Sequence, residues 1–397
     1  MVRPRYSHFE VPAKRHLLTP GPTPVPPSVV AAMSAPIVHH RTREYRTVFG
    51  RVLERLADVY RTAGDVLLFT SSGTGGMESA VANVCSPGDR VLVVSAGNFG
   101  ERWVALAETY GLDARILRYE WGETPVPGDV GAALADLDGA KAVFLTQSET
   151  STGVVADVRE IAARVGPSGA LIVVDAISSL GAVPLETDAW GLDVVVAGSQ
   201  KALMTPPGLA SVAVSRRALD AASTSRSPRF YLDWARAVAA QREEPPVNPF
   251  TPAISLVLGL DAALSLLLEE GLEVAFDRHV RLGRACRAGV KAMGLELFSP
   301  DDDRSAVVTA IRMPPDIDAK DVIGALAERH GVTLEGGRGP LAGKIVRIGH
   351  IGYVDVFDVT AALTALELVL AEMGAEIERG VAAAVALETF GGEALRV

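Results

Sequence analysis

The chain has 397 residues, of which 48% are hydrophobic and 22% are charged, and its formal net charge is −10. This composition is ordinary for a globular protein with a large core, and the length fits two or three domains or one large α/β unit with a smaller one. The acidic balance disfavours nucleic acid as a partner, because the chain has no cationic surplus to neutralise phosphates.

The cysteines disfavour a disulfide-rich or metal-binding protein, and the apolar segments disfavour a secreted or membrane-spanning one. Cys85 and Cys286 lie far apart, so neither a disulfide framework nor a metal site is expected. The N-terminal residues carry charges and no apolar signal core, and no segment reaches the roughly 20 apolar residues that cross a bilayer. We therefore expect a cytoplasmic protein without a membrane partner.

Residues 65–214 have the pattern of an α/β domain, in which short apolar runs alternate with helical stretches at residues 76–84, 101–110 and 158–165. Most of the runs are continuous in Val, Leu and Ile, which is typical of strands that are covered on both faces. The pattern predicts a mostly parallel seven-stranded sheet flanked by helices. The predicted strands are residues 66–70, 90–95, 114–119, 142–146, 171–174, 193–197 and 211–214.

The second half of the chain predicts a smaller α+β domain. After proline-rich loops, residues 251–270 and then 272–293 have helical patterns, and strands and helices alternate up to residue 373. The predicted helices there are residues 319–330 and 354–373, with a strand at 343–349 between them. We expect an N-terminal arm at 1–20, a large domain at 21–265, a small domain at 266–376 and a helical tail at 377–397.

A glycine-rich turn follows the first predicted strand of the sheet. Ser72, Gly73 and Thr74 lie where the backbone turns into a helix, and the exposed N–H groups of a helix start suit a phosphate. An ordinary tight turn would have a similar sequence. The turn lacks the lysine of a P-loop and the Gly-x-Gly-x-x-Gly pattern of dinucleotide-binding domains, which disfavours a nicotinamide dehydrogenase.

Asp175 and Lys201 follow two other predicted strands of the same sheet. A carboxylate at the end of an apolar strand needs a partner, which is either a cationic ligand or the N-terminus of the next helix. A lysine in such a place is either desolvated, with a lowered pKa, or solvated at the strand terminus. Together with the phosphate-type turn, these two residues fit the needs of pyridoxal phosphate.

Arg347 lies in the middle of a short β-segment of the small domain. A guanidinium presents two parallel N–H donors to a carboxylate, so Arg347 is a candidate for binding a substrate carboxylate. A solvent-facing arginine on the sheet is the alternative.

The chain strongly resembles the class V, fold-type I pyridoxal-phosphate aminotransferases, specifically the alanine/serine–glyoxylate (serine–pyruvate) group. The resemblance extends from about residue 17 to residue 352. The segments that carry it are Thr19-Pro-Gly-Pro-Thr23, Glu149-Thr-Ser-Thr-Gly153, Asp175-Ala-Ile-Ser-Ser-Leu-Gly181, Gly198-Ser-Gln-Lys-Ala-Leu203, Pro206-Pro-Gly208 and Arg347-Ile-Gly-His-Ile-Gly352.

The resemblance implies a role for each of these positions. Lys201 is the lysine that binds the cofactor covalently and moves the proton of the substrate, and Asp175 contacts the pyridine nitrogen. Arg347 and Gly21 belong to the substrate site. The further cofactor-binding residues are Ser72, Gly73, Thr74 and Gln200 at the phosphate, Thr150 at the ring hydroxyl and Phe99 stacked on the ring.

The resemblance also implies a homodimer in which the partner subunit reaches the phosphate. Thr251 is the candidate for this contact, but the segment Asn248-Pro-Phe-Thr251 departs from the tyrosine-containing version of relatives, so Asn248 stays open as well. His39, His40 and Arg41 lie where relatives have residues of the active-site entrance, or they form a solvated loop.

The predicted reaction is transamination between alanine or serine and glyoxylate or pyruvate. Within the same family, the alternatives are an aminotransferase for aspartate, ureidoglycine or a phosphonate amine, and a cysteine desulfurase-like lyase. The last is disfavoured because Gln200, rather than histidine, precedes the lysine. A regulatory module that binds the cofactor without catalysis is the alternative outside the enzymes.

Overall fold

The computed structural model describes residues 14–392. Its helices are α1 (Pro27–Met33), α2 (Arg43–Tyr60), α3 (Gly73–Val84), α4 (Asn98–Thr109), α5 (Pro127–Ala135), α6 (Val158–Val165), α7 (Arg216–Thr224), α8 (Trp234–Gln241), α9 (Ile254–Glu270), α10 (Leu272–Ala292), α11 (Ala319–His330), α12 (Val356–Glu372) and α13 (Ala382–Gly392).

The strands are short, as is usual for a twisted sheet between helices. They are β1 (His16–Leu17), β2 (Asp65–Thr70), β3 (Arg90–Ser95), β4 (Asp113–Arg118), β5 (Ala142–Thr146), β6 (Ser148–Glu149), β7 (Val154–Val155), β8 (Leu171–Asp175), β9 (Val194–Gly198), β10 (Leu209–Val214), β11 (Val308–Arg312), β12 (Val332–Thr333), β13 (Glu335–Gly336) and β14 (Ile345–Gly349).

Seven strands form the central sheet, in the order β2-β10-β9-β8-β5-β3-β4. β10 runs antiparallel to both of its neighbours, β2 and β9, and the other pairs are parallel. Every residue of β5, β8, β9 and β10 is buried, which explains the continuous apolar runs in the sequence. The predicted fold class, a mostly parallel seven-stranded sheet flanked by helices, is confirmed.

Three helices begin three residues away from the predicted start, and α12 begins at Val356 instead of residue 354. α3 begins at Gly73 instead of residue 76, because its glycines let the helix approach the sheet: a Cβ on Gly76 would lie 2.7 Å from Cγ1 of Val196. α4 begins at Asn98 instead of residue 101, because its first turn is capped by a side chain from a distant loop. α9 begins at Ile254 instead of residue 251, because the residue before Pro252 is restricted to extended conformations.

The sheet has an apolar layer on each face. One layer contains Phe49 of α2, Ile161 of α6 and Leu260 of α9, and the other contains the fully buried Trp103 of α4 and Trp234 of α8. Burial of side chains of this size is the main force that holds helices to the sheet. No helix within residues 14–392 is both long and apolar enough to span a membrane.

The small domain has its own core, formed by the antiparallel sheet β11-β14-β13 and by α10, α11 and α12. The N-terminal strand β1 pairs with β12 of this domain, and Ala382 of α13 is buried in the same core. The predicted domain limits stay predictions. The change from the large core to the small one falls within α10, between Phe276 and Leu282.

The carboxyl ends of the parallel strands meet at one edge of the central sheet, which is where open α/β sheets bind their ligands. The glycine turn follows β2, Asp175 ends β8, and Lys201 follows β9. The loop that contains Thr150 follows β5 at the same edge.

Candidate active site

Lys201 is buried at the edge of the sheet, and 8% of its surface is exposed. Its Nζ donates a hydrogen bond to the backbone oxygen of Pro20. The pKa of Lys201 is lowered to about 8, mainly by burial; the charge of Asp175 opposes this shift, and the charge of Arg347 contributes to it. The solvated lysine that the sequence left open is therefore not what the structure contains.

Gly21 lies directly against the Lys201 side chain. A Cβ at this position would be 2.5 Å from Cδ, Cε and Nζ of Lys201. Its φ of +129° is also in the region that favours glycine. Any side chain here would push the lysine out of its present position, so the structure brings this predicted substrate-site residue to the amine.

Asp175 is 3% exposed at the end of β8. Its Oδ1 accepts a hydrogen bond from the Ile177 backbone N–H at 2.8 Å. Its Oδ2 accepts none from the described part of the chain, and no α-helix begins there for Asp175 to cap. Burial raises the pKa of Asp175 to about 7, and the Glu149 charge adds to this, while the Ile177 N–H opposes it.

The glycine turn forms the N-terminus of α3. Ser72 is the residue before the first turn, and its side chain makes no capping hydrogen bond. The first N–H groups of an α-helix have no acceptor within the helix, so those of Gly73 and Thr74 are available to an anion. The Thr74 hydroxyl accepts a hydrogen bond from Nη1 of Arg102 at 3.1 Å.

Gln200 and Thr150 lie on the loops next to Lys201 and to β5. Oε1 of Gln200 is buried without a hydrogen-bond partner within residues 14–392. A buried carbonyl oxygen without a partner is costly, so a hydrogen-bond donor of a ligand would stabilise it. Thr150 is buried, and its backbone oxygen accepts a hydrogen bond from Arg347.

Phe99 is held in place by two residues, Arg102 and Glu149, to which the sequence analysis assigns no role. Its ring lies under the guanidinium of Arg102, 4.8 Å from ring centre to Cζ. Oε2 of Glu149 accepts hydrogen bonds from the N–H groups of Phe99, at 2.9 Å, and Gly100, at 3.0 Å. Glu149 thereby caps α4, whose own preceding residue, Gly97, has no side chain to do so.

Arg347 is almost fully buried, with 2% of its surface exposed. Nε and Nη2 donate to the backbone oxygen of Gly336, and Nη1 donates to that of Thr150. A guanidinium has five N–H groups, so one remains on each terminal nitrogen. The solvent-facing alternative is wrong, and burial lowers the pKa of Arg347 to about 10.

Two predicted features are not joined to this cluster by hydrogen bonds within the described chain. Thr251 is exposed, whereas Asn248 is buried and accepts a hydrogen bond from the Tyr45 hydroxyl at 3.0 Å. In the loop of His39 and His40, the two ring centres are 4.6 Å apart and the rings are tilted against each other by 34°.

The residues at this edge fit pyridoxal phosphate. They supply an amine of lowered pKa, a buried carboxylate with a free oxygen, and a helix N-terminus with free N–H donors. The family model described as Aminotransferase class-V matches residues 15–351. The chain belongs to the class V aminotransferases. It is an enzyme of amino-group transfer, and its cofactor is pyridoxal 5′-phosphate.

This aminotransferase is similar to relatives with several names. The serine–glyoxylate aminotransferase of Methylorubrum extorquens is 36% identical over 388 residues, which cover 94% of this chain and 96% of that protein. The soluble hydrogenase 42 kDa subunit of Anabaena cylindrica is 41% identical over 381 residues, which cover 95% and 99%. The crystal structure of the ureidoglycine–glyoxylate aminotransferase of Bacillus subtilis has a TM-score of 0.91 and 32% identity, with 95% and 98% coverage.

Proposed function

We propose that this aminotransferase transfers the amino group of alanine or serine to glyoxylate or pyruvate. Two of the relatives named above act on glyoxylate by name, and one of them on serine. The observation that carries the proposal is the convergence of three groups on one buried site: the Lys201 amine, the Asp175 carboxylate and the Arg347 guanidinium. Aspartate, ureidoglycine and phosphonate amines stay open as donors.

Each of the three residues has one task in this proposal. Pyridoxal phosphate, when bound, supplies an aldehyde that condenses with amines and a ring that withdraws electrons from the substrate. Lys201 would hold this aldehyde through Nζ, and the same amine would remove the proton from the donor α-carbon, for which a lowered pKa suits it. The free oxygen of Asp175 pairs with the ring nitrogen.

Arg347 binds the substrate carboxylate with its two remaining N–H groups. Its backbone partners hold the guanidinium in one orientation, so little conformational entropy is lost on binding. A fixed carboxylate also fixes the direction of the bond to the α-proton, which is the bond that Lys201 acts on.

The remaining predicted residues hold the cofactor in place. The N–H groups of Gly73 and Thr74, with Ser72 and Gln200, bind the phosphate at the positive end of α3. Thr150 contacts the ring hydroxyl, and Phe99 stacks on the ring. Thr251, which is exposed while Asn248 is engaged with Tyr45, reaches the phosphate of the partner subunit in a homodimer.

A lyase that uses a cysteine nucleophile is not supported by this site. Cys85 and Cys286 are both buried, and burial raises the pKa of each thiol. A reactive cysteine needs the opposite, an exposed thiol of lowered pKa. A cytoplasmic location stays a prediction from the sequence.

The test uses the purified protein loaded with pyridoxal phosphate. Reduction with borohydride, followed by peptide mass analysis, is expected to place the cofactor on Lys201, and Lys201→Ala is expected to carry none. L-Alanine or L-serine is expected to change the cofactor absorbance, and glyoxylate to restore it. A protein that stays unchanged with every amino acid would contradict the proposal.

A second arm of the test concerns Arg347. Arg347→Ala is expected to retain the cofactor but to weaken donor binding about 10- to 100-fold, because hydrogen bonds to charged groups contribute about 1.5–3 kcal/mol. The matched control is Arg329→Ala, which removes an arginine of the same domain that is paired with Glu372 on the surface. Unchanged donor affinity in Arg347→Ala would show that another group binds the carboxylate.

A further inference from the structure

A second arginine stands beside Arg347. Arg338 lies in the loop between β13 and β14, three residues after Glu335. Nη2 of Arg338 is 3.9 Å from Oε1 of Glu335, and Nη2 of Arg347 is 3.8 Å from that same oxygen. Glu335 and Arg347 are directly opposite each other on β13 and β14, so their side chains share one face of the small sheet. One carboxylate oxygen therefore lies between two guanidinium groups.

The two arginines are held in different ways. Arg347 donates to two backbone oxygens, whereas the guanidinium of Arg338 makes no hydrogen bond to another residue within 14–392. The side chains of Arg338 and Glu335 are 47% and 41% exposed. Their distances exceed those of hydrogen bonds, and exposed ion pairs of this kind add little stability. An incoming carboxylate therefore displaces Glu335 at a small cost.

The backbone of the loop that carries Arg338 is held by contacts on both sides of this residue. A Cβ on Gly339 would be 3.2 Å from Cη2 of Trp121, a residue of the large domain, and the neighbouring Leu341 is buried. At the other end, the oxygen of Gly336 accepts the hydrogen bonds of Arg347. Arg338 is thus anchored on both sides, while its own charged group is free to meet a ligand.

The charge of Arg338 acts on the residues of the active site. Burial is the main cause of the lowered pKa values of Lys201, Arg102 and Arg347, and repulsion from Arg338 lowers each of them further. Arg338 is therefore close enough to the Lys201 amine for its charge to be felt there, but its effect is small beside that of burial.

We propose that Arg338 is a second carboxylate-binding residue, which lets the site accept amino donors with a side-chain carboxylate. The α-carboxylate of the donor binds Arg347, and the second carboxylate takes the place of Glu335 next to Arg338. Because the two Nη2 atoms lie 3.9 Å and 3.8 Å from one Glu335 oxygen, they are close enough for a short dicarboxylic amino acid, such as aspartate, to reach both guanidinium groups. This inference rests on the proposed function, because it takes Arg347 as the residue that binds the α-carboxylate.

The kinetic test compares L-aspartate with L-alanine as donors, with glyoxylate as the acceptor and the cofactor-loaded enzyme. Arg338→Gln is expected to lower kcat/KM for aspartate about 10- to 100-fold, the usual effect of losing a charged hydrogen bond, and to leave the value for alanine within about two-fold. Glu335→Gln is expected to raise kcat/KM for aspartate, because it removes a like charge. Arg329→Gln is the matched surface control.

The binding test needs no turnover. Succinate and propionate are unreactive acids with two carboxylates and one, and calorimetry gives their affinities for the cofactor-loaded enzyme. Arg338→Gln is expected to weaken succinate at least about 10-fold and to leave propionate unchanged, since only succinate reaches both arginines.

The outcomes separate this inference from the proposed function. Equal losses for aspartate and alanine, or an unchanged affinity for succinate, would overturn the role of Arg338. If the unmodified enzyme turned over no amino donor with glyoxylate, the proposed function would fail instead, and the comparison of succinate with propionate would still decide the role of Arg338.

Discussion

Burial changes the acid–base properties of Lys201 and Asp175 in opposite directions. It lowers the pKa of the amine to about 8 and raises that of the carboxyl group to about 7. Near neutral pH, a larger share of Lys201 is therefore neutral than in an exposed lysine, and a neutral amine is the form that attacks an aldehyde. Desolvation of Lys201 in the folded chain therefore increases the neutral fraction of this amine before any cofactor is bound.

This property gives a prediction for the protein without cofactor. The rate at which it captures pyridoxal phosphate is expected to rise with pH, with a midpoint near the pKa of about 8, and to level off above it, because only the neutral form of Lys201 reacts. Stopped-flow absorbance measures this rate. The reference compound is Nα-acetyl-lysine, whose free side-chain amine has a pKa near 10.4. A midpoint close to that of the free amine would mean that Lys201 is solvated.

Glu149 gives a second prediction. Besides Phe99 and Gly100, it accepts hydrogen bonds from the N–H and hydroxyl of Ser151. Glu149→Ala leaves these buried donors without an acceptor, which is expected to lower the free energy of unfolding by about 3 kcal/mol and to weaken cofactor binding through Phe99. Glu149→Gln keeps one oxygen for Phe99 and Gly100, so its loss is expected to be smaller.

Urea denaturation and cofactor titration check both variants. The Ser71 hydroxyl donates a hydrogen bond to the Ser72 backbone oxygen at 3.2 Å and has no contact with Glu149 among the described hydrogen bonds, so Ser71→Ala is a control for the effect on stability. Equal stability of the Ala and Gln variants would contradict the capping role of Glu149.

The residues of the active site differ in how far the sequence reveals them. Asp175 and Lys201 are identifiable because each follows an apolar strand, and the ends of parallel strands must meet at one edge. Glu149, Arg102 and Arg338 carry no such pattern. Glu149 reaches Phe99, and Arg102 reaches Thr74, only because segments that are distant in sequence pack together. Glu149 was part of a recognised motif, but its contact with the start of α4 depends on how two loops pack.

At the scale of elements, two buried histidines connect helices and strands of the small domain. Nε2 of His279, on α10, accepts a hydrogen bond from the Gly352 backbone N–H at 3.0 Å, and Nδ1 contacts the oxygen of Ala275 at 2.6 Å. His350, after β14, contacts the Thr309 hydroxyl of β11 at 2.9 Å. Burial lowers the pKa of each to about 3, so both are neutral in the folded protein.

These histidines predict a loss of stability in acid. The folded-state pKa lies below the unfolded value of about 6.5, so the stability is fully present above pH 6.5 and is lost as the pH falls toward 3. Each histidine is expected to contribute about 1.4 kcal/mol per pH unit in this range. Protonation of Asp175 stabilises the folded protein as the pH falls from about 7 to 3.8, because its pKa is raised on folding. The stability of each variant must therefore be compared with that of the unmodified protein at the same pH.

The test compares the unmodified protein with His279→Gln by urea denaturation between pH 4.5 and 6.5. The variant is expected to have a pH slope that is smaller by about 1.4 kcal/mol per unit, since one proton fewer is taken up on unfolding. His39→Gln, in the loop before α2, is the control on an exposed histidine. An unchanged slope in His279→Gln would mean that the imidazole is not buried in its neutral form.

Strands were easier to predict than the starts of helices. Buried parallel strands have a continuous apolar pattern, which is visible in any window of the sequence. The starts of α3 and α4 depend on glycines that allow close contact with the sheet and on a cap from another loop. The start of α9 was a local signal that was missed, because Pro252 already restricts the residue before it.

At the scale of the whole molecule, one subunit leaves the phosphate side of the site open. Ser72 and Thr251 are exposed. Next to Thr251, the ring of Tyr231 stacks on Phe250 and that of Phe230 contacts it at a tilt, and the two side chains are 41% and 66% exposed. Exposed aromatic clusters are typical of protein interfaces. This surface supports the proposed homodimer.

A mixing experiment tests whether Thr251 acts across the interface. Thr251→Ala is expected to weaken cofactor binding about three- to tenfold, the effect of one lost hydrogen bond. Lys201→Ala has an intact Thr251 but cannot hold the cofactor covalently. If Thr251 serves the partner subunit, mixed dimers of the two variants are expected to regain tight binding at the Thr251→Ala subunit.

Light scattering gives the mass of the particle, and titration of the separated mixed dimers gives the affinity. A monomer, or mixed dimers that bind no better than Thr251→Ala alone, would contradict the contact across the interface. A contact across the interface cannot be predicted from composition, because the composition of one chain does not show which residues a second copy contributes to the site.

The segment that begins at β1 has a mechanical consequence. It is joined to the small domain through β12, and three and four residues after β1 it contacts Lys201 with Pro20 and Gly21. Any rotation of the small domain therefore reaches the reactive amine directly. The position of Lys201 thus depends on a strand pair of the other domain as well as on the central sheet that carries the lysine.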